Sequence, residues 1–212
     1  MNVISYAEYD LTSEALAIGE RTKKGTFRPC LMTIPFTTIS GALRERFSLD
    51  EIYAVGKLEN SYLKNIDLHR SIHIYSPRGV FEDVAKVPLQ TEFLTNVKAK
   101  IYIAIHNQDV MDLCSECKAF EITMGAFKSK GLGRSYLQFN RMIDAVEKKI
   151  GLLQSRIPEK YCACFGIEEV LKPNYGYLFE PNGIVSGKYI KAIFEGSLVK
   201  GADFIVEEVI KL

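Results

Sequence analysis

Residues 94–106 read LTNVKAKIYIAIH, and Val97, Ala99, Ile101, Ile103 and Ile105 recur there at every second position. A period of two puts all five side chains on one face of a β-strand. The intervening Lys98, Lys100 and Tyr102 are polar or amphipathic, so one side of this strand is core. Working outward, IYAVGKLE (52–59) and SIHIYSPR (71–78) read as short strands, with the breakers Pro77 and Gly79 after the second. NQDVMDLCSECKAF (107–120) reads as a short helix with Asn107 or Asp109 near its start. FEITM (120–124) and YLQF (136–139) read as strands on either side of the loop GAFKSKGLGRS (125–135).

Residues 1–18 are β-rich and extended in pattern, and ERTKKGTFRP (20–29) reads as an exposed basic loop. Beyond Pro35 the period changes. Thr37 or Thr38 is placed to cap a helix whose Ile39, Ala42, Leu43 and Phe47 share one face. The order strand–helix–strand–strand–helix–strand up to about residue 140 predicts an α+β fold, a ferredoxin-like antiparallel sheet with helices on one face. After it come a predicted helix, DAVEKKIGLLQ (144–154), and four candidate strands: YCACFGI (161–167), YGYLFE (175–180), KYIKAIFE (188–195) and FIVEEVIKL (204–212). They predict a smaller β-rich C-terminal lobe on the same core, dividing the chain into residues 1–140 and 141–212.

The 212 residues suit one large domain or two small ones, and 47% hydrophobic with 25% charged residues argues against disorder. With a formal net charge of +1 the molecule has no general attraction for polyanions, so any nucleic-acid binding rests on local clusters of Lys and Arg. No apolar run reaches the roughly 18 residues of a membrane span. The start MNVISYAEYDLTSE lacks the basic and apolar regions of a secretion signal, so a cytoplasmic location is expected. Five cysteines make no disulfide framework.

The loop 125–135 holds most of the functional information. Gly125, Gly131 and Gly133 permit backbone angles closed to other residues and let a ligand come close. Lys128, Lys130 and Arg134 interleave with them. Successive N–H groups in such a loop can form an anion-binding concavity, with the cations adding charge to it. Phosphate repeated along a nucleic-acid strand is the natural ligand. The loop is not GxxxxGK[ST], and GLGRS does not complete the dinucleotide pattern. A glycine-bearing β-turn with solvated lysines is the plainer alternative.

GAFKSKGLGRS also resembles the glycine-rich signature of the RAMP superfamily of CRISPR-associated proteins. YDLTSEALAIGE (9–20) looks like that family's first strand, IPFTTISGALRERF (34–47) like its entry into the first helix, and VPLQTEFLTNVKAKIYI (87–103) like the approach to its central strand. The PFTTISGALR segment is most similar to members that cap one end of an effector complex and hold the 5′ tag of the CRISPR RNA. The resemblance implies an RRM-related core and a reduced second lobe. It implies RNA-backbone contact at Gly125, Lys128, Lys130, Gly131, Gly133 and Arg134, with Thr37, Thr38, Ser40 and Arg44 on the same surface. The partners it implies are CRISPR RNA and other CRISPR-associated subunits, with no membrane and no cofactor. Helix capping is an equal reading for Thr37 and Thr38.

Two further readings stay open. Some relatives cleave RNA without metal, and His69 and His73, with Arg70 or Lys64 nearby, are the candidates for an endoribonuclease processing precursor CRISPR RNA. The chain is otherwise a scaffold subunit without RNA affinity of its own. Cys114, Cys117, Cys162 and Cys164 form a CxxC and a CxC that are candidates for one structural zinc, against the plainer reading of buried free thiols. Tyr6, Tyr9, Tyr75, Tyr102, Tyr136 and Phe139 are assigned to core or cross-strand pairs rather than to base stacking.

Overall fold

The computed structural model describes residues 5–19, 26–76, 87–181 and 186–208. In chain order these form β1 (Ser5–Leu16), β2 (Phe27–Arg28), α1 (Phe36–Phe47), β3 (Tyr53–Leu58), α2 (Asn60–Leu63), α3 (Ile66–His69), β4 (Arg70–Tyr75), β5 (Leu89–Ile105), α4 (Gln108–Glu116), β6 (Ala119–Thr123) and β7 (Arg134–Ile143). They continue with β8 (Lys148–Leu153), β9 (Ile157–Pro158), β10 (Glu169–Lys172), β11 (Tyr175–Pro181), β12 (Gly187–Ile193), β13 (Leu198–Ala202) and β14 (Val206–Glu208). The protein is α+β and mostly sheet. Val3 and Ile4, residues 20–25, the breakers Pro77 and Gly79, and 209–212 lie outside the described residues.

β5 is the spine of the main sheet. β1 runs antiparallel along one edge, pairing Leu11 with Ala99, Tyr9 with Ile101 and Ala7 with Ile103. β3 and β4 share the other edge, β3 against Lys100–Ala104 and Ala99, β4 against Leu89–Leu94. β7 lies on the far side of β1, and β6 closes that end of the sheet. β2 adds two residues parallel to β5, where the sequence suggested only loop.

Alternation divides the sheet into two faces. Ala7, Tyr9 and Leu11 of β1 join Val97, Ala99, Ile101, Ile103 and Ile105 of β5 in one core, with Ile39 and Leu43 of α1 and Val110 and Cys114 of α4 above them. The opposite face contributes Tyr6, Tyr53, Val55, Tyr102 and Ala104 to a second core, shared with Leu153, Ile157, Phe165, Ile193, Val199 and Ile205. The residues after β7 therefore cover one end of the sheet's second face and share its core. They form two small sheets, β10-β13-β8-β14 and β11-β12-β9.

Two C-terminal elements differ from expectation. Lys148–Leu153 is a strand, not part of a helix, because β13 and β14 pair with both of its edges. Gly151 makes this possible: a Cβ there would stand 2.1 Å from the Glu207 carbonyl oxygen. Residues 161–167 are not a strand but two successive 3₁₀ turns, Glu159–Tyr161 and Ala163–Phe165, ending at Gly166 with φ +66°. The turns bury Cys164 and Phe165 together, which an alternating strand would not.

α1 also starts differently. Its N-cap is Pro35, without a side-chain cap, and the Phe36 N–H is met by the Arg156 carbonyl at 3.0 Å. Thr37 and Thr38 lie inside the first turn and do not cap it. Asn107 does cap α4, its Oδ1 accepting the Val110 N–H at 2.9 Å.

Candidate nucleic-acid interface

The loop between β6 and β7 is held against the end of β1. Ala17 O accepts the Ala126 N–H at 2.7 Å and Ala15 O accepts the Gly133 N–H at 2.8 Å. Met124 N–H donates to Gly133 O at 2.9 Å, closing the base of the loop. Both outer glycines have φ values that side chains resist, +83° at Gly125 and +90° at Gly133. A Cβ at either would collide with backbone, 2.4 Å from Ala17 O or 2.0 Å from Met124 O. Gly131, at φ +84°, has open space around it and ends the short 3₁₀ turn Lys128–Lys130.

Part of the loop's backbone is turned inward. The N–H groups of Ala126, Lys130, Gly131, Leu132 and Gly133 all donate to backbone carbonyls. Those five amides hold the loop's shape, and the cationic side chains project from it. Arg134 projects from the start of β7, mostly exposed, in a bidentate pair with Glu121 at 2.8–3.1 Å. Lys128 meets Glu45 of α1 at 3.2 Å, and Lys130 lies 5.9 Å from the ring centre of Tyr75. Exposed pairs of this kind contribute about 0–1 kcal/mol, little enough for a phosphate to displace.

Beside the loop no described residue covers the second face of the sheet. A groove of about 820 Å³ runs over Thr12, Glu14, Asn96, Lys98, Glu121 and Tyr136, with Lys128 and Arg134 on its margin. Where the C-terminal residues begin to cover this face lies an ionic cluster that the sequence did not disclose. Glu8, nearly buried, accepts from Lys100 at 2.8 Å, Asn140 at 2.9 Å and Arg141 at 3.1 Å. Burial pushes the Glu8 carboxyl up, but the bonds from Lys100 and Arg141 outweigh it and hold the group below its ordinary value. The β1–β7 register skips at Asn140, a bulge that aims both Asn140 and Arg141 at Glu8. Lys57, in the adjoining cleft, has its ammonium pushed down by burial against the pull of Glu8, Asp203 and Glu207.

The other expected contacts are dispersed. α1 begins beside β3, where Phe36 stacks on Tyr53, and ends beside β6, where Phe47 meets Phe120 edge-on. The loop reaches the far half of the helix, at Glu45, so Thr37 and Thr38 do not join it. Ser40 is buried and exchanges hydrogen bonds with Ala54, donating at 3.1 Å and accepting at 2.9 Å. It fastens α1 to β3 and is withdrawn from any RNA surface. Arg44 donates to Ile52 O at 3.3 Å and lies 5.6 Å from the Tyr53 ring centre.

His69 stacks on Tyr62 with ring centres 4.4 Å apart, and His73 stands exposed on β4 beside Tyr75. Among the described residues neither imidazole has a hydrogen-bond partner. The four cysteines do not form one site. Cys114 and Cys117 pack into the core under the helices, Cys162 and Cys164 into the core on the opposite face. Burial raises the Cys114 thiol to about 11 and the Cys162 thiol to about 12, so both stay protonated near neutral pH.

A further group went unnoticed in the sequence. Tyr175, Tyr177 and Phe179 of β11 share a face with Tyr189 and Lys191 of β12. The signal for it was the alternation Y-G-Y-x-F in YGYLFE.

No known family model and no curated protein matches the sequence. Solved structures do match the fold. A chain in a cryo-EM structure of the Type III-B Cmr-beta complex bound to cognate target RNA superposes with a TM-score of 0.56 at 13% identity, covering 91% of this chain and 86% of that one. The same complex with target RNA and AMPPnP gives 0.55 at 12% identity, with the same coverage. A chain of a CRISPR RNA-guided surveillance complex gives 0.54 at 10% identity, covering 95% of this chain and 93% of that one. Over nearly its whole length, the protein has a fold found in chains of the Type III-B Cmr-beta complex and of a CRISPR RNA-guided surveillance complex.

Proposed function

We propose that this chain is an RNA-binding subunit of a CRISPR ribonucleoprotein effector complex, acting in antiviral defence and gripping the guide RNA by its backbone. The observation that carries the reading is the fixed loop. Gly125, Gly133 and five of its amides hold one shape, and that shape presents Lys128 and Arg134 beside a sheet face that no described residue covers, with Lys130 turned toward Tyr75. The strand order β3-β5-β1-β7 supports reading the sheet as ferredoxin-like and RRM-related, and a sheet face of that kind suits an extended single strand. The RNA-guided assemblies that contain chains of this fold supply the expected partners, CRISPR RNA and neighbouring protein subunits.

Affinity in this reading comes from phosphate contacts, with few bases read directly. Each cation leaves an exposed carboxylate or ring for a phosphate oxygen, an exchange that costs little. His69 and His73 lie against Tyr62 and Tyr75 and, among the described residues, their imidazoles have no hydrogen-bonded partner to poise them for proton transfer. Incubating the purified chain with end-labelled CRISPR-repeat RNA in EDTA, and resolving bound, free and shortened species together, tests the reading. Binding without shortening is expected. Shortening at one position would make the chain a processing nuclease, and absence of binding would leave a scaffold.

A further inference from the structure

The β11–β12 hairpin carries an aromatic face that no other described part of the fold covers. Its inner side is anchored: Leu178 and Ala192 are buried, and the ring of Phe194 occupies the space beside Gly176. On the outer side Tyr175, Tyr177 and Tyr189 are 50%, 67% and 58% exposed. Phe179 meets Tyr189 edge-on at 5.5 Å and lies over Gly187, where a Cβ would stand 2.3 Å from its ring. Lys191, opposite Tyr177 in the register, extends its Nζ to 3.9 Å from the Tyr175 ring centre.

Rings on alternate residues of a strand stand about 6.6–7 Å apart on one face. The hairpin's buried side backs them, and Tyr189 also leans on the ring of Phe179. Lys191, paired with Glu159, sets one cation among the rings, whereas Lys188 and its partner Glu180 lie on the opposite side of the hairpin. Among the described residues, the aliphatic members of the outer face are Ile193, which is buried at its base, and Pro181 at its end. Protein interfaces favour Met and Arg beside aromatics and disfavour Lys, whereas this face has Lys191 and neither of the other two. Tyrosines interleaved with lysine suit nucleobases, whose π-faces stack on aromatics with little regard to sequence.

We infer that the outer face of the β11–β12 hairpin is a second RNA contact, a stacking platform for unpaired bases built from Tyr175, Tyr177 and Tyr189 with Lys191 at its side. The inference rests on the RNA reading only for the kind of ligand, because the hairpin does not use the glycine-rich loop.

The test uses the full chain, an unstructured fluorescent RNA, and a strand of the same length lacking bases. Substituting Tyr175→Ala, Tyr177→Ala and Tyr189→Ala together is expected to weaken RNA binding about tenfold or more while leaving its salt dependence and its weaker binding to the baseless strand unchanged. The three Tyr→Phe changes should restore affinity, since the ring and not the hydroxyl stacks. The chain has no tryptophan, so tyrosine emission reports stacking directly, and its quenching by RNA should shrink in the Tyr177→Ala variant. Wild-type affinity and quenching in the triple Ala variant would overturn the platform while leaving the loop intact. Loss of a neighbouring protein subunit from that variant, with RNA affinity kept, would reassign the face to protein contact and overturn it equally. A wild-type chain that binds no RNA would bring down the loop reading and the platform together.

Discussion

Gly133→Ala is the change to which the loop should respond most sharply. The residue sits at φ +90°, where an L-side chain costs about 1–2 kcal/mol, and its new Cβ would stand 2.0 Å from Met124 O. That carbonyl belongs to backbone and cannot swing away cheaply. Relief requires separating β6 from β7 at the loop's base, which endangers the Met124 N–H to Gly133 O bond and the Gly133 N–H to Ala15 O bond. Each is worth about 0.5–1.5 kcal/mol net, so the total cost is about 2–5 kcal/mol. Gly131→Ala is the internal control: its φ is +84°, but nothing lies within 4 Å of the added carbon, so only the conformational cost of about 1–2 kcal/mol applies. Urea unfolding of the two variants measures the difference. RNA titration of folded Gly133→Ala should show weaker binding, because Lys128, Lys130 and Arg134 lose their fixed placement. Equal destabilisation by the two alanines would refute the claim that backbone packing, and not torsion alone, holds the loop.

Three further outcomes follow from the same structure. Ser40→Ala leaves the Ala54 N–H without its buried partner and should cost about 1–3 kcal/mol in denaturant unfolding, with RNA affinity of the folded variant unchanged. Glu8 has a folded pKa below its unfolded value, so its contribution is present above the ordinary carboxylate range and lost as pH falls through the depressed folded value; the Glu8→Gln variant should therefore show a flatter decline of stability in acid than wild type. An aromatic disulfide reagent at neutral pH should label Cys114 and Cys162 slowly in the native protein and rapidly in urea, and EDTA should not shift the unfolding midpoint.

The main sheet was legible because its strands carry strict periods. The alternation from Val97 to Ile105 and the change of period after Pro35 each report one buried face, and both faces are where the sequence puts them. The C-terminal residues were harder to read. Val146, Ile150 and Leu153 fall at helical spacing, yet pairing with β13 and β14 overrides it, and nothing local signals partners some 50 residues away. The run YCACFGI is β-rich in composition, but Gly166 in the left-handed region ends a turn there instead. At the candidate site the glycines and cations were visible and their arrangement was not. Spacing alone does not show that the loop's amides bond to Ala15, Ala17 and Phe127, or that Ser40 turns inward to Ala54. The cysteine pairs looked like one ligand set only until the sheet stood between them.

The most direct test of the central claim is the salt dependence of RNA binding for wild type and for Lys128→Ala, Lys130→Ala and Arg134→Ala combined. Each phosphate contact to a single strand contributes about 0.7 to the slope of log affinity against log salt, so losing three should flatten it by about 2 and weaken binding most at low salt. A variant that binds RNA with the wild-type slope would contradict the assignment of the glycine-rich loop to the RNA backbone.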